Sequence, residues 1–478
     1  RVRGGVLFAV EDSDYTVKVD ADGLRAATTY YFRFHTRGAT SATGRTRTLP
    51  SMAAGAAAQV KLAVFSCSNY PAGFFNAYAE AAKIDDLDAA VHLGDYIYEY
   101  DRAGYASSQA GALGRLSEPD AELVTLAQYR TRHAQYRSDP DLQSLTARVP
   151  LIAVWDDHEI TNNAWRNGAE NHQPDEGDYG LRKAAAIRAY YEWMPIREVQ
   201  PGRRERTFRS FDWSNLLSLH MLDTRIIGRD EQLSYASFTG AAGFNAPAFA
   251  AALADPARQL LGSEQTAWLQ NQLSRSTATW QVLGQQVLMG RMNVPAPILF
   301  QQISVAGYAA LAQRAATNPA SLTATELAIL RAPSIPYNLD AWDGYAVARE
   351  TVLGTARTLD RNLVVLAGDT HNAWANDLAD LQGRAVGVEF ATASVSSPGF
   401  EGVFPNENPV AFARGLETLI GPLLWTDTSQ RGFLLVTATT AECRAEWRFV
   451  STVLSRQYSV STGRVLRTLP GQRRLVEA

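Results

Sequence analysis

An α/β domain carrying a small all-β segment at its amino end is the fold class this sequence predicts, on three observations. Apolar runs of about five residues, the length of a buried strand, recur between roughly 60 and 436, separated by stretches with helical spacing. Four of these runs break at once into residues that can ligate a metal, which is how strands of a parallel sheet end in functional loops. Residues 1–50, by contrast, alternate and are punctuated by Gly4, Gly5, Gly23 and Gly38.

The bulk properties narrow the class. A chain of 478 residues, 46% hydrophobic and 20% charged, has the composition of an ordinary globular protein and room for more than one domain. A formal net charge of -4 leaves no basic footprint for nucleic acid. No apolar run nears the roughly 18 residues that a membrane helix requires. With only Cys67 and Cys443 present, a disulfide framework is excluded. The chain opens at Arg1 without Met or a signal peptide, so the expectation is that processing or trimming has removed a segment.

In chain order, residues 15–19 and 28–36 are expected strands, the second holding Tyr30, Tyr31, Phe32 and Phe34. They read as the closing strands of an immunoglobulin-like or fibronectin-like sandwich, which assigns 1–50 to an N-terminal β domain. Residues 51–60, small and Ala/Gly-rich, are a linker, and 61–478 form the main domain. There the first two ligand-bearing strands are expected at 62–65 and 87–93. Helices are expected at 73–82, at 119–137 with Tyr129, His133 and Tyr136 on one face, at 181–192, and from Ser263 onward. Strands follow at 150–155, at 216–222 leading into Asp223-Thr224-Arg225, at 280–289 and at 362–367. Residues 235–254 and 294–335, rich in Ala, Pro, Gly and Phe, are longer than ordinary connections and read as insertions lining or covering the site. Antiparallel strands are expected at 433–438, 445–451 and 458–465, with Cys443 in the core.

The four strand ends carry the chemistry. Cys67 as thiolate, Asp95 as carboxylate and Tyr98 as phenolate are anionic, electron-donating ligands suited to a trivalent, oxophilic metal such as ferric iron. Asp157, Asn162 and Asp369 are oxygen donors to which only His371 adds nitrogen, a set favouring Ca²⁺, Mn²⁺ or Mg²⁺ over Zn²⁺. Asp95, central among the strand ends, is the expected bridge. Two metals so placed can hold the attacking and leaving oxygens of an in-line displacement at phosphorus, with a shared water or hydroxide as nucleophile. No Gly-x-Ser-x-Gly elbow is present, and none is required. Taken singly, each stretch also has a plain structural reading, as a turn, an N-cap or a loop histidine; four together after separate apolar runs do not.

Phe65-Ser66-Cys67, His92-Leu93-Gly94-Asp95-Tyr96-Ile97-Tyr98-Glu99, Trp155-Asp156-Asp157-His158-Glu159-Ile160 and Gly368-Asp369-Thr370-His371 resemble the motifs of the PhoD-type alkaline phosphatases. Leu222-Asp223-Thr224-Arg225 and Trp342-Asp343-Gly344-Tyr345 add to the resemblance, which runs from about Thr16 to the early 450s. That family is related to the purple acid phosphatases among the calcineurin-like metallophosphoesterases. The resemblance implies a four-layer α/β/β/α sandwich behind an N-terminal β domain. It also implies ferric iron on Cys67, Asp95, Tyr98 and His371, and calcium, one ion or two, on Asp95, Asp157 and Asp369. Asp156 and Asp157 stand where the purple acid phosphatases have Gly and Asn; the added charge suits calcium and leaves Asp156 the weaker ligand candidate. Gln286 replaces a histidine of that family and is open to either ligation or packing, and Asn163 competes with Asn162.

His158, next to a ligand, is the expected contact to phosphate or proton donor to the leaving group, with Asp95 the other catalytic residue. Arg182 is a second candidate for binding phosphate, and Arg225 is expected to pair with Asp223 or another core carboxylate. The expectation is an exported, periplasmic or secreted, phosphatase that hydrolyses small phosphate esters, monoesters and also diesters, by a metal-activated hydroxide at an iron and calcium site. Zn²⁺, Mn²⁺ or Mg²⁺ are the alternative ions. Alternative tasks are a phosphodiesterase or phosphotriesterase acting on lipid, nucleotide or cell-wall polymer, and a non-catalytic metal-containing cell-surface protein.

Overall fold

Two seven-stranded sheets organise the chain. In the first, the order is Val476–Glu477, Val460–Thr468, Cys443–Val450, Arg431–Ala438, Val60–Phe65, Ala89–His92 and Leu151–Ala153, the last three parallel. In the second it is Arg209–Trp213, Leu217–Met221, Trp280–Gly284, Leu363–Ala367, Ala385–Ala391, Ala373–Ala379 and Leu423–Asp427, with a parallel run from Leu217–Met221 through Ala385–Ala391. The computed structural model describes residues 2–478 except 53, 54, 56 and 242. Part of the linker expected at 51–60, and one residue of the first insertion, thus lie outside the described residues.

The apolar runs are continuous because both faces of their strands are covered. Successive side chains point to opposite faces, so Leu62 and Val64 enter the core between the sheets while Ala63 and Phe65 meet helices. Val364 and Leu366 face that same inter-sheet core from the second sheet, and Leu363 and Val365 face its outer helices. On the outer side of the first sheet Tyr78, Tyr129, Tyr136, Ile187 and Tyr190 pack; outside the second, Leu269, Leu273, Val352 and Leu353 do.

Helix boundaries follow their caps. The helix expected from 119 begins at Leu126, where Thr125 and Gln128 form a capping box, and it buries Tyr129, His133 and Tyr136 as the spacing predicts. Helix Tyr179–Trp193 starts after Asp178, whose side chain accepts from Leu181 N. The strand expected at 280–289 ends at Gly284.

One expectation needs correction. Residues 15–19 alternate but join no ladder: Tyr15, Val17 and Val19 are exposed, and the segment is tied instead to the main domain through Lys18 Nζ to Ile196 O at 3.1 Å. The described ladders of residues 1–50 are Thr29–Phe32 with Gly44–Arg47 and His35–Thr36 with Ala39–Thr40. The two insertions contain helices Ala246–Leu253, Val305–Thr317 and Ala324–Arg331. They share one small core, in which Tyr235, Phe244, Phe249 and Phe300 pack ring to ring, and strand Asn293–Pro295 pairs with Ser334–Pro336. Apolar aromatics this far apart in sequence meet because neither stretch buries enough surface alone.

Candidate active site

Cys67, Asp95, Asp156, Asp157, Asp369 and His371 follow closely on the carboxyl ends of the parallel strands Val60–Phe65, Ala89–His92, Leu151–Ala153 and Leu363–Ala367. Two glycines let the strand ends meet. A Cβ on Gly94, whose φ is +112°, would lie 2.4 Å from Asp156 Cβ, and one on Gly368 would lie 2.2 Å from Ser66 Oγ. Cys67, Asp95, Asp369 and His371 themselves sit at φ of 62°, 54°, 64° and 65°, the left-handed region that costs an L-residue energy and persists where the surroundings impose it.

Three sets of ligand atoms result, each within 4.8 Å: Cys67, Asp95 and His371; Asp95, Asp157 and His158; and Asp156, Asp157 and Asp369. Asp95 belongs to two of them. The Tyr98 hydroxyl donates to Asp95 Oδ2 at 3.0 Å and lies 3.3 Å from His371 Nε2. His371 donates from Nδ1 to Pro398 O at 2.8 Å, which leaves its Nε2 lone pair for the cluster. His158 gives Nδ1 to Glu99 at 2.6 Å and stacks on the Tyr98 ring at 4.3 Å.

Electrostatically the acidic groups of the site outnumber its cationic ones, Arg225 and His158. Burial and the neighbouring Asp95 push the Cys67 thiol and the Tyr98 phenol well above their ordinary ranges. Burial raises Asp156 to about 7 although Arg225 opposes it, and burial with Asp156 raises Asp369. Burial also disfavours ionised Asp157, but Arg225 and His158 together outweigh it and hold that carboxyl low. Glu99, Asp95 and Asp157 overcome burial to keep His158 protonated. Asp95 Oδ1, Asp156 Oδ2 and Asp157 Oδ1 are buried without a hydrogen-bond partner among the described residues. Buried carboxylate oxygens left without donors fit a site for cations, which would reverse both the repulsion and the cost of burial.

Residues 62–447 match the PhoD-like phosphatase family, and residues 1–50 match the N-terminal domain of PhoD-like phosphatases. The chain belongs to the PhoD-like phosphatase family. It is 34% identical over 470 residues to alkaline phosphatase D of Bacillus subtilis (strain 168), covering 96% of this chain and 71% of that protein. A solved structure of PhoD superposes with a TM-score of 0.78 at 31% identity, covering 98% of this chain and 81% of that one. The chain is therefore a phosphoric ester hydrolase of the alkaline phosphatase type, with the mixed α/β fold of PhoD.

Within this PhoD-like framework Arg182 and Gln286 are not brought to the cluster. Arg182 is buried and committed to Glu122 at 2.7 Å, Glu176 at 3.1 Å, Asn171 O and the Tyr129 hydroxyl. It reaches the site only indirectly, through Asn171, which donates to Glu99. Gln286 packs: Oε1 accepts from Thr224 N and Oγ1, and Nε2 donates to Trp155 O and Leu222 O. Asn162 lies in the loop after Asp157, and its backbone N–H is given to Glu99 at 2.7 Å. Asn163 N donates to Asp157 Oδ2 at 2.5 Å. Trp342 and Tyr345 are core, the indole bonded to Gln285 and the phenol to Asp230 O.

Two residues escaped the sequence reading. Glu159 accepts from Asp95 N, Tyr96 N and Asp156 N, binding two ligand loops together. Glu99 orients His158 and accepts from Thr161, Asn162 and Asn171. Arg225, expected to pair with Asp223 or another core carboxylate, takes the second course, with Asp156 at 2.5 Å, Asp369 at 2.9 Å, Asp340 at 2.7 Å and Asp157 at 3.4 Å. The only signals for the two glutamates were their places inside the ligand motifs.

Proposed function

We propose that this PhoD-like phosphatase hydrolyses small phosphate esters, monoesters and diesters, at a two-cation site with Asp95 shared between the halves. Ferric iron would be held by Cys67, Asp95, Tyr98 and His371, and calcium by Asp95, Asp157 and Asp369, with Asp156 and Asn162 alongside. The observation carrying this reading is the convergence of a thiol, a phenol, a histidine and a shared carboxylate with three further aspartates, several of whose oxygens lack donors. Cations held there would supply charge for the phosphoryl oxygens and acidify a water.

The chain's own residues do the rest. Asp95 orients the Tyr98 hydroxyl, and Glu99 fixes the His158 ring so that Nε2 faces the carboxylates. Held by Glu99, His158 donates a hydrogen bond to a phosphoryl oxygen or a proton to the leaving alcohol. We read the whole as a four-layer α/β/β/α sandwich, 61–478, joined by a linker at 51–60 to an immunoglobulin-like segment, 1–50. Periplasmic or secreted action belongs to the same reading and is checked by cell fractionation; no helix among the described residues is long and apolar enough to cross a membrane.

Elemental analysis run beside hydrolysis of mono- and bis-nitrophenyl phosphate tests the proposal. Iron near one per chain, calcium, and turnover of both esters are expected. Zinc alone would replace the ion assignment, and turnover of only one ester would narrow the substrate class.

A further inference from the structure

Asp340 lies between the small core shared by the insertions and the carboxylates of the site. Leu339 packs into the small core that the insertions share, whereas Ala341, Trp342 and Tyr345 pack beneath the second sheet. Between them the Asp340 carboxylate accepts from Arg225 Nη1, at 2.8 Å to Oδ1 and 2.7 Å to Oδ2. It also pairs with Arg229, whose guanidinium rests 4.8 Å from the Tyr345 ring centre.

Arg225 turns its other edge to the site, Nε to Asp156 and Nη2 to Asp369 and Asp157. A guanidinium is a rigid fork, so clamping Nη1 fixes where Nε and Nη2 point. Arg225 and a cation are rivals for the same carboxylates. We propose that Asp340 is a positioning residue that shares the charge of Arg225 with Asp156, Asp157 and Asp369 and so sets how tightly the site binds a divalent cation. This rests on the cation reading above. With Asp340 neutral, the charge of Arg225 falls wholly on the site carboxylates, and an entering cation must displace it. The clamp also ties the core shared by the insertions to the site, since Asp340 follows Leu339 directly.

The test titrates calcium chloride calorimetrically into metal-stripped wild-type, Asp340→Asn and Asp340→Glu proteins, with thermal unfolding and nitrophenyl phosphate kinetics followed across calcium concentration. Asp340→Asn is expected to weaken calcium binding ~10–100-fold, the scale for residues that orient ligands. Its activity should return at high calcium, with KM for the ester little changed, and Asp340→Glu should bind calcium more nearly as the wild type does. An unchanged calcium affinity with a lowered Tm would make Asp340 a scaffold residue and overturn the inference. If Asp340→Asn does not fold, Arg229→Lys, which keeps the charge but loses the fork behind Asp340, should also weaken calcium binding, and an unchanged affinity there overturns it equally. Failure of the wild-type protein to bind calcium would remove the cation reading and this inference together.

Discussion

At His158 one ring nitrogen is committed to Glu99, so only Nε2 is left to face the cluster. Replacing it by Ala should lower kcat ~10²–10⁴-fold, the usual worth of a positioned acid. Glu99→Gln leaves the ring in place but neutralises its partner, and its fall in kcat should be smaller, with KM nearly constant; steady-state kinetics on both variants checks the order. Tyr98 gives a spectroscopic test of the iron. A phenolate on ferric iron absorbs visible light, so Tyr98→Phe should bleach or shift the band of the purified protein. An unchanged spectrum would remove Tyr98 from the metal's ligands.

The strand-end turns are the elements on which the site depends. Gly94 combines a φ of +112° with a backbone that passes against Asp156, so even a methyl group there meets Asp156 Cβ and N at 2.4 Å. Gly94→Ala should therefore cost at least ~1–3 kcal/mol of stability from the backbone alone. It should also lower metal content by moving the Asp156 loop, and denaturant unfolding paired with elemental analysis would show whether the two losses travel together. These turns follow strands whose apolar runs were plain in the sequence, and hence the ligand positions were legible. The insertions were not, since their helices and shared aromatic core depend on contacts between 235–254 and 294–335 that no local periodicity displays.

Across the whole molecule, burial of histidine couples stability to pH. His133 is fully buried in the first helical layer, both ring nitrogens lack a partner among the described residues, and burial lowers its pKa from 6.5 to about 3. The folded state thus keeps it neutral while the unfolded chain takes up a proton below 6.5. Its contribution is intact above pH 6.5 and is lost as pH falls toward 3, about 2 kcal/mol by pH 5. His133→Phe, keeping the ring between Tyr96 and Tyr190, should flatten the acid limb of the stability curve. An acid limb identical to that of the wild type, measured by denaturant titration from pH 7 to about 4, would count against a neutral buried His133.

The sequence by itself determined the parallel strands, the ligand types at their ends and the family motifs, because apolar runs and the residues that follow them are local and keep their order in the chain. Only the tertiary structure decided which charges offset which. Arg225 meets partners 69, 115 and 144 residues away, and Glu99 meets His158 across 59. Whether an arginine braces a helix, as Arg182 does, or enters the site, as Arg225 does, depends on which carboxylates the packed sheets bring within about 3 Å. A guanidinium has the same chemistry in either place, and its sequence neighbours do not select its partner.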